Sequence, residues 1–141
     1  MQFKEPIAYV CSYHGEIGEL VSCAYAISNT DKFVIPIRYD ARLIARLLPA
    51  YLNARARWEE GSGRVSKIWL EMMMLACMTG RIEEALRYCG ARKGRFIAFA
   101  TDLKTLRLFL RSSGAKLQVK CRLRIDYATA TAVALSNLPK D

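Results

Sequence analysis

Cys11 and His14 stand three residues apart, and a thiol beside an imidazole is the pairing that makes a nucleophile. On a strand, residues three apart point to opposite faces, and no third group is identifiable to orient the ring, so His14 reads as a surface-turn histidine. Gly61-x-Gly63 has the opening spacing of a phosphate loop, but neither a Gly-Lys-Ser/Thr nor a third glycine follows. Glu59 with Glu60, and Glu83 with Glu84, are neighbours in helical sequence and do not face each other, so neither makes an acid–base pair. Five cysteines, at 11, 23, 77, 89 and 121, contain no C-x-x-C pair, and with a single histidine no zinc-type ligand set exists. No catalytic residue, metal site or cofactor is assigned, and no enzyme class is supported.

Free, buried thiols are the default for these cysteines. Only five residues are Asn or Gln (Gln2, Asn29, Asn53, Gln118, Asn137). That scarcity leans toward a thermophile, and intracellular proteins of hyperthermophilic archaea are often disulfide-rich. If a bridge forms, Cys11 to Cys23 is the best candidate. The two flank the reversal at His14-Gly15, each roughly 10–13 Å from it at strand or helical rise. Cys77 and Cys89 are placed unequally about the turn at Thr79-Gly80, so their Cα atoms are expected too far apart to bridge.

Charge is the stronger signal. Lys plus Arg is 22 and Asp plus Glu is 13, giving +9 with His14 neutral. The excess is striped. Arg42, Arg46, Asn53 and Arg57 fall at i, i+4, i+11 and i+15, on one helical face opposite a row of leucines. Lys104, Arg107 and Arg111 make a second stripe, and Lys120, Arg122 and Arg124 one face of a terminal strand. Like charges so close repel, and an anionic partner relieves the repulsion. Polyanion binding, nucleic acid above all, is one reading of this pattern. Colloidal solubility is the other, since amphipathic elements put Arg and Lys outside in any case.

The elements that must carry these residues alternate in type. Ile7 to Tyr13 reads as a strand and residues 17–28 as a helix with Ile17, Leu20, Val21, Ala24 and Ile27 on one side. Phe33 to Arg38 is a second strand that Pro36 demotes to an edge, a bulge or a strand end. Asp40 caps a long helix in which Pro49 is expected to make a kink or a split. Gly61-Ser62-Gly63 is a loop. Ser66 opens an almost wholly apolar helix to Met78, and Ile82 to Cys89 forms another, ended by Gly90 as a C-cap. Arg95 to Ala100 is a third strand, and Thr101-Asp102 starts a helix that Gly114 terminates.

Lys116 to Ile125 alternates without fault, with Leu117, Val119, Cys121, Leu123 and Ile125 on the core face. Asp126 caps a final Ala-rich helix. At 141 residues, 52% hydrophobic and 25% charged, the chain is expected to form a single α/β (α+β) domain over residues 1–141, a small mixed sheet packed with several helices. The longest apolar stretch, Ile68 to Met78, holds Glu71 and is too short to span a membrane. The first residues lack an apolar h-region, so a soluble cytoplasmic protein is expected.

The segment from Glu71 to Gly90 resembles the signature of the small kinase-binding subunit of the KEOPS complex, the TPRKB-like family, in its archaeal type. In that family a helix bearing a Glu leads into a Ser-Gly-x-Arg-Gln-Ile turn, with an Ala and a Gly three and eight residues after the Ile. Glu71, Ile82, Ala85 and Gly90 match without a gap. Asp40-Ala41 opening a long helix and the apolar strand Phe96 to Ala100 extend the resemblance to roughly residues 33–138. Cys77 and Met78 stand where Ser-Gly is usual, and Gly80-Arg81 replaces Arg-Gln.

What the resemblance implies is a non-catalytic adaptor without a cofactor. KEOPS installs the threonylcarbamoyl group on adenosine 37 of tRNA through a different subunit. The small subunit docks on the complex's kinase-like ATPase and helps hold tRNA, in archaea by its 3′ CCA end. Arg42, Arg46, Arg57, Arg81, Lys120, Arg122 and Arg124 are the candidate RNA-binding residues, since cationic side chains neutralise phosphates and guanidinium planes stack on bases. Met72 and Met73 are candidate partner-binding residues, with core packing as the other assignment. The alternative to this whole reading is a stand-alone protein-interaction or oligomerisation domain whose charge only solubilises it.

Overall fold

A computed structural model describes residues 5–61 and 67–118. In chain order the elements are β1 (Ile7–Tyr13), α1 (Ile17–Ile27), β2 (Val34–Arg38), α2 (Ala41–Glu59), α3 (Ile68–Cys77), α4 (Ile82–Cys89), β3 (Gly94–Ala100), α5 (Leu103–Ser113) and β4 (Lys116–Leu117). The class is α+β, as the alternation of periods in the sequence requires. The described residues divide into two compact units, one of residues 5–39 with 90–118 and one of residues 40–61 with 67–89.

The first unit is a four-stranded sheet in the order β2-β3-β1-β4 with α1 and α5. Every described strand pairing is antiparallel, which corrects the expected mixed sheet. The reason lies in the topology. β1 and β2, joined through α1, run parallel but are not neighbours, because β3 inserts between them antiparallel to both. Two interleaved β-α-β halves, β1-α1-β2 and β3-α5-β4, make a split, ferredoxin-like arrangement. Pro36 lies on β2, an edge of this sheet, the place where a residue without an N–H is tolerated.

Alternation places Ile7 and Cys11 of β1, Val34 of β2, and Phe96, Ala98 and Ala100 of β3 in one buried cluster. Leu20 and Ala24 of α1 and Leu106 and Phe109 of α5 complete it, with Phe96 and Phe109 edge to face at 6.3 Å between centroids. Asp102 caps α5 by accepting from the Thr105 N–H at 2.8 Å and the Thr105 hydroxyl at 2.9 Å, and Gly114 ends it in the left-handed conformation. Burial by itself raises the Asp102 pKa. The hydrogen bonds from Thr105 and Thr101 and the charge of Lys32 outweigh it and hold the carboxyl below its ordinary value.

A carboxylate with a depressed folded-state pKa contributes stability above its unfolded pKa and loses it as pH falls through the folded value. Asp102→Ala is therefore expected to cost about 1 kcal/mol at neutral pH. The difference from the parent should begin to shrink as pH falls below about 4 and continue to fall through the lower folded-state pKa, measured by chemical denaturation at stepped pH.

Of the expected ten-residue terminal strand, β4 comprises Lys116 and Leu117, and Leu117 is 43% exposed rather than on the core face. A two-residue edge strand has little to bury one side against. Residues 119–125, with Lys120, Arg122, Arg124 and Cys121, lie outside the described residues, as do the final helix and Ser66.

The second unit is helical. Asp40 caps α2 by accepting from the Arg42 N–H at 2.8 Å, and Leu43, Leu47, Leu48 and Tyr51 are buried. α2 runs through Pro49 without splitting. A proline there removes only the bond to the Ala45 carbonyl, and the apolar side of a long helix holds its two halves in line. α3 begins at Ile68 with Lys67 as its N-cap residue and no side-chain cap.

α3 ends in Met78, a residue in the left-handed region at φ 58° and 75% exposed. A side chain with a Cβ is strained there. Met78→Gly is expected to raise stability by about 0.5–1 kcal/mol, read as an upward shift of the thermal midpoint. Gly90 directly follows the last residue of α4, as expected, and pairs with Ile37 as an isolated antiparallel bridge ahead of β3.

Candidate nucleic-acid interface

Asp40, at the start of α2, places Arg42 and Arg46 one turn apart on the same side of the helix. Both line a cavity of about 160 Å³, together with Asp40, Leu43, Cys77, Tyr88 and Cys89. That is smaller than the roughly 300–1,000 Å³ of pockets that enclose a whole ligand. It fits the end of a larger ligand, one phosphate or the edge of one base. Arg42 and Tyr88 are exposed and Arg46 is half-buried. Two guanidinium groups with an aromatic ring beside them are the side chains that neutralise a phosphodiester and stack on an unpaired base. Sequence reasoning does not single out Tyr88, because an aromatic one position from the end of a short amphipathic helix looks like an ordinary boundary residue.

Arg57 does not join this pair. It lies eleven residues beyond Arg46, roughly 16 Å along the helix axis. Its Nη1 donates to Oε1 of Glu71 at 2.8 Å, and Glu71 is 0% exposed. A guanidinium that neutralises a buried carboxylate is part of the fold and has no free charge to offer a phosphate. Between them, Arg55 lies over the Tyr51 ring at 5.4 Å and donates from Nε to its hydroxyl at 3.1 Å. The outer face of α2 is thus an open basic pair at its N-terminal end and internally engaged arginines toward the other.

Arg81 is exposed, with Nη1 3.7 Å from a carboxylate oxygen of Glu84. The Thr79 hydroxyl donates to the other oxygen of Glu84 at 2.8 Å and accepts from the Arg81 N–H at 3.2 Å. These contacts close the turn between α3 and α4. A surface pair of this length contributes little energy and leaves Arg81 able to meet an anion.

In the sheet unit, Lys104, Arg107 and Arg111 are exposed along α5 with no carboxylate paired to them among the described residues. The same unit carries an unforeseen pair, Arg95 over the Tyr39 ring at 5.7 Å, both exposed. Tyr39 ends a strand-to-helix connection and Arg95 sits at the start of β3, so no sequence spacing links them.

The remaining assignments change. Met72 and Met73 are 1% and 3% exposed, so they pack in the core and are not a partner surface. α3 is apolar on nearly every side, and such a helix is buried all round. Among the described residues of the helical unit, the exposed large apolar side chains are Met78, Leu86 and Tyr88. Cys11 and Cys23 are free thiols, not a disulfide. Cys11 points into the sheet core, where burial pushes its pKa up to about 12, while the Cys23 thiol lies 3.8 Å from the Ser112 carbonyl. His14 is exposed and Cys11 buried, so they make no nucleophile pair.

Cys77 and Cys89, at the ends of α3 and α4, line the same cavity as Arg42 and Arg46. α4 is eight residues, roughly 12 Å long, and the link from Met78 to Arg81 spans a comparable distance. The end of α4 can thus return to the end of α3. No group of three or more metal-ligating side chains is present among the described residues, and none of their helices is long and apolar enough to cross a membrane. No family model matches the chain, and no curated protein matches it.

Proposed function

We propose that this chain is a non-catalytic accessory subunit of a KEOPS complex, acting in the cytoplasm, which binds the kinase-like ATPase subunit and helps recruit tRNA by its 3′ CCA end. The observation that carries the reading is the turn after α3. The resembled family has a glycine where Met78 stands, and Met78 is in the one backbone region that favours glycine. A left-handed residue at the position where the resembled family has glycine supports the resemblance. The other motif positions have tasks that explain their spacing. Glu71 neutralises Arg57 inside the helical unit, Ala85 is a buried small residue of α4, and Gly90 makes the bridge to Ile37.

The tRNA part of the proposal draws support from Arg42, Arg46 and Tyr88 at one cavity. A single-stranded end with splayed bases is the form of RNA that such a site can take, one phosphate between two guanidinium groups and one base on the ring. The kinase-like partner is assigned to the exposed apolar side chains Met78 and Leu86, since Met72 and Met73 are buried. Methionine adapts its shape to a partner surface.

The test is affinity purification of the chain at low and moderate salt, with RNA sequencing and mass spectrometry of what it retains. Recovery of tRNA together with a small kinase-like ATPase is the expected result. Recovery of neither favours the stand-alone interaction domain.

A further inference from the structure

Cys77 closes α3 and Cys89 closes α4, and both line the cavity that Arg42, Arg46 and Tyr88 also line. Cys77 is half-exposed and Cys89 is buried. Burial, then the contact with Cys77, push the Cys89 thiol up to about 12, only partly offset by Arg46. The first nucleophile of this pair is therefore Cys77, which a small molecule reaches through the cavity. A second thiol on the wall of the same small cavity is placed to approach it to the roughly 2.05 Å of a sulfur–sulfur bond.

We propose that Cys77 and Cys89 form a thiol–disulfide exchange site that accepts a low-molecular-weight disulfide of the glutathione class and closes into an intrachain bridge between α3 and α4. In the first step the Cys77 thiolate attacks one sulfur of the small disulfide. A mixed disulfide forms at Cys77, and the other half leaves as a thiolate that takes up a proton. In the second step Cys89 gives its proton to solvent and attacks the Cys77 sulfur. The second small thiolate leaves and is protonated. Two protein thiols lose two electrons and two protons, and one small disulfide becomes two small thiols.

The bridge ties together the two helix ends on either side of the Met78 turn, where the backbone is strained. It also changes the cavity wall beside Arg46. The site stands independently of the KEOPS reading, because it rests only on the two thiols and the cavity they line.

The purified full chain is equilibrated in buffers of stepped reduced-to-oxidised glutathione ratio. It is then quenched with an alkylating reagent under denaturing conditions, so that every remaining thiol is labelled, and its peptides are mapped by mass spectrometry. As the oxidised share rises, Cys77 and Cys89 should lose label together and appear as one cross-linked peptide pair, while Cys11 and Cys23 stay labelled. In Cys89→Ser the reaction should stop at a glutathione adduct on Cys77. In Cys77→Ser, which serves if the first variant does not fold, Cys89 should stay labelled at every ratio. A wild-type chain that keeps both labels throughout, or that holds the Cys77 adduct without closing it, overturns the proposal. So does a bridge from either residue to a different cysteine.

Discussion

Reversing Arg42 and Arg46 together, to glutamate, is expected to weaken tRNA binding by on the order of 10–100-fold at about 0.15 M salt. The one phosphate left without its guanidinium groups keeps its condensed counterion, so the plot of log affinity against log salt should become shallower by about one. The pair is chosen because both side chains line one cavity and Arg57, the third arginine of the stripe, does not. Neither guanidinium holds an element in place: it is the Arg42 backbone N–H, not its side chain, that Asp40 accepts from. Thermal denaturation of the double variant should therefore stay close to the parent, which separates loss of a binding group from loss of fold. An unchanged affinity with an unchanged fold would move the RNA contact to another stripe, α5 or the residues after β4.

Arg57→Ala should behave in the opposite way. Glu71 has no exposed surface, and its contact with Arg57 at 2.8 Å offsets the cost of taking a carboxylate out of water. Removing the guanidinium from such a pair costs roughly 3–5 kcal/mol, which in a chain of this size lowers the thermal midpoint by about 10 °C or more. Arg57→Ala combined with Glu71→Gln should recover part of that loss, because no charge then stays buried. A midpoint for Arg57→Ala within a degree or two of the parent would show that Arg57 is a surface cation like Arg42.

These two arginines show what a sequence of this kind does and does not reveal. Helical periodicity places Arg42, Arg46 and Arg57 on one face, and the residues do lie on that side of α2. Periodicity carries no information on which of them meets a carboxylate from another helix, and the Glu71 pairing depends on how α3 packs on α2. The boundaries of β1, the caps at Asp40 and Asp102 and the Gly114 terminus are legible because local rules govern them: alternation, side-chain capping and left-handed backbone. Sheet order is not, since β3 reaches its place between β1 and β2 only after the fifty residues from Asp40 to Cys89, which carry α2, α3 and α4.

The corrections have the same origin. Met72 and Met73 suit a partner surface by residue type, but α3 has too little polar periphery to leave either exposed. Cys77 and Cys89 line one cavity although they are placed unequally about the turn, which spacing along the chain does not reveal.

The claim at the centre of this account is that the chain holds the single-stranded end of a tRNA. It is tested most directly by titrating the purified chain against one tRNA in two forms, intact and with the three terminal nucleotides trimmed, at two salt concentrations. The account predicts that trimming weakens binding several-fold at both salts and that reversing Arg42 and Arg46 removes most of the difference between the two forms. Equal affinity for the intact and trimmed RNA would contradict it.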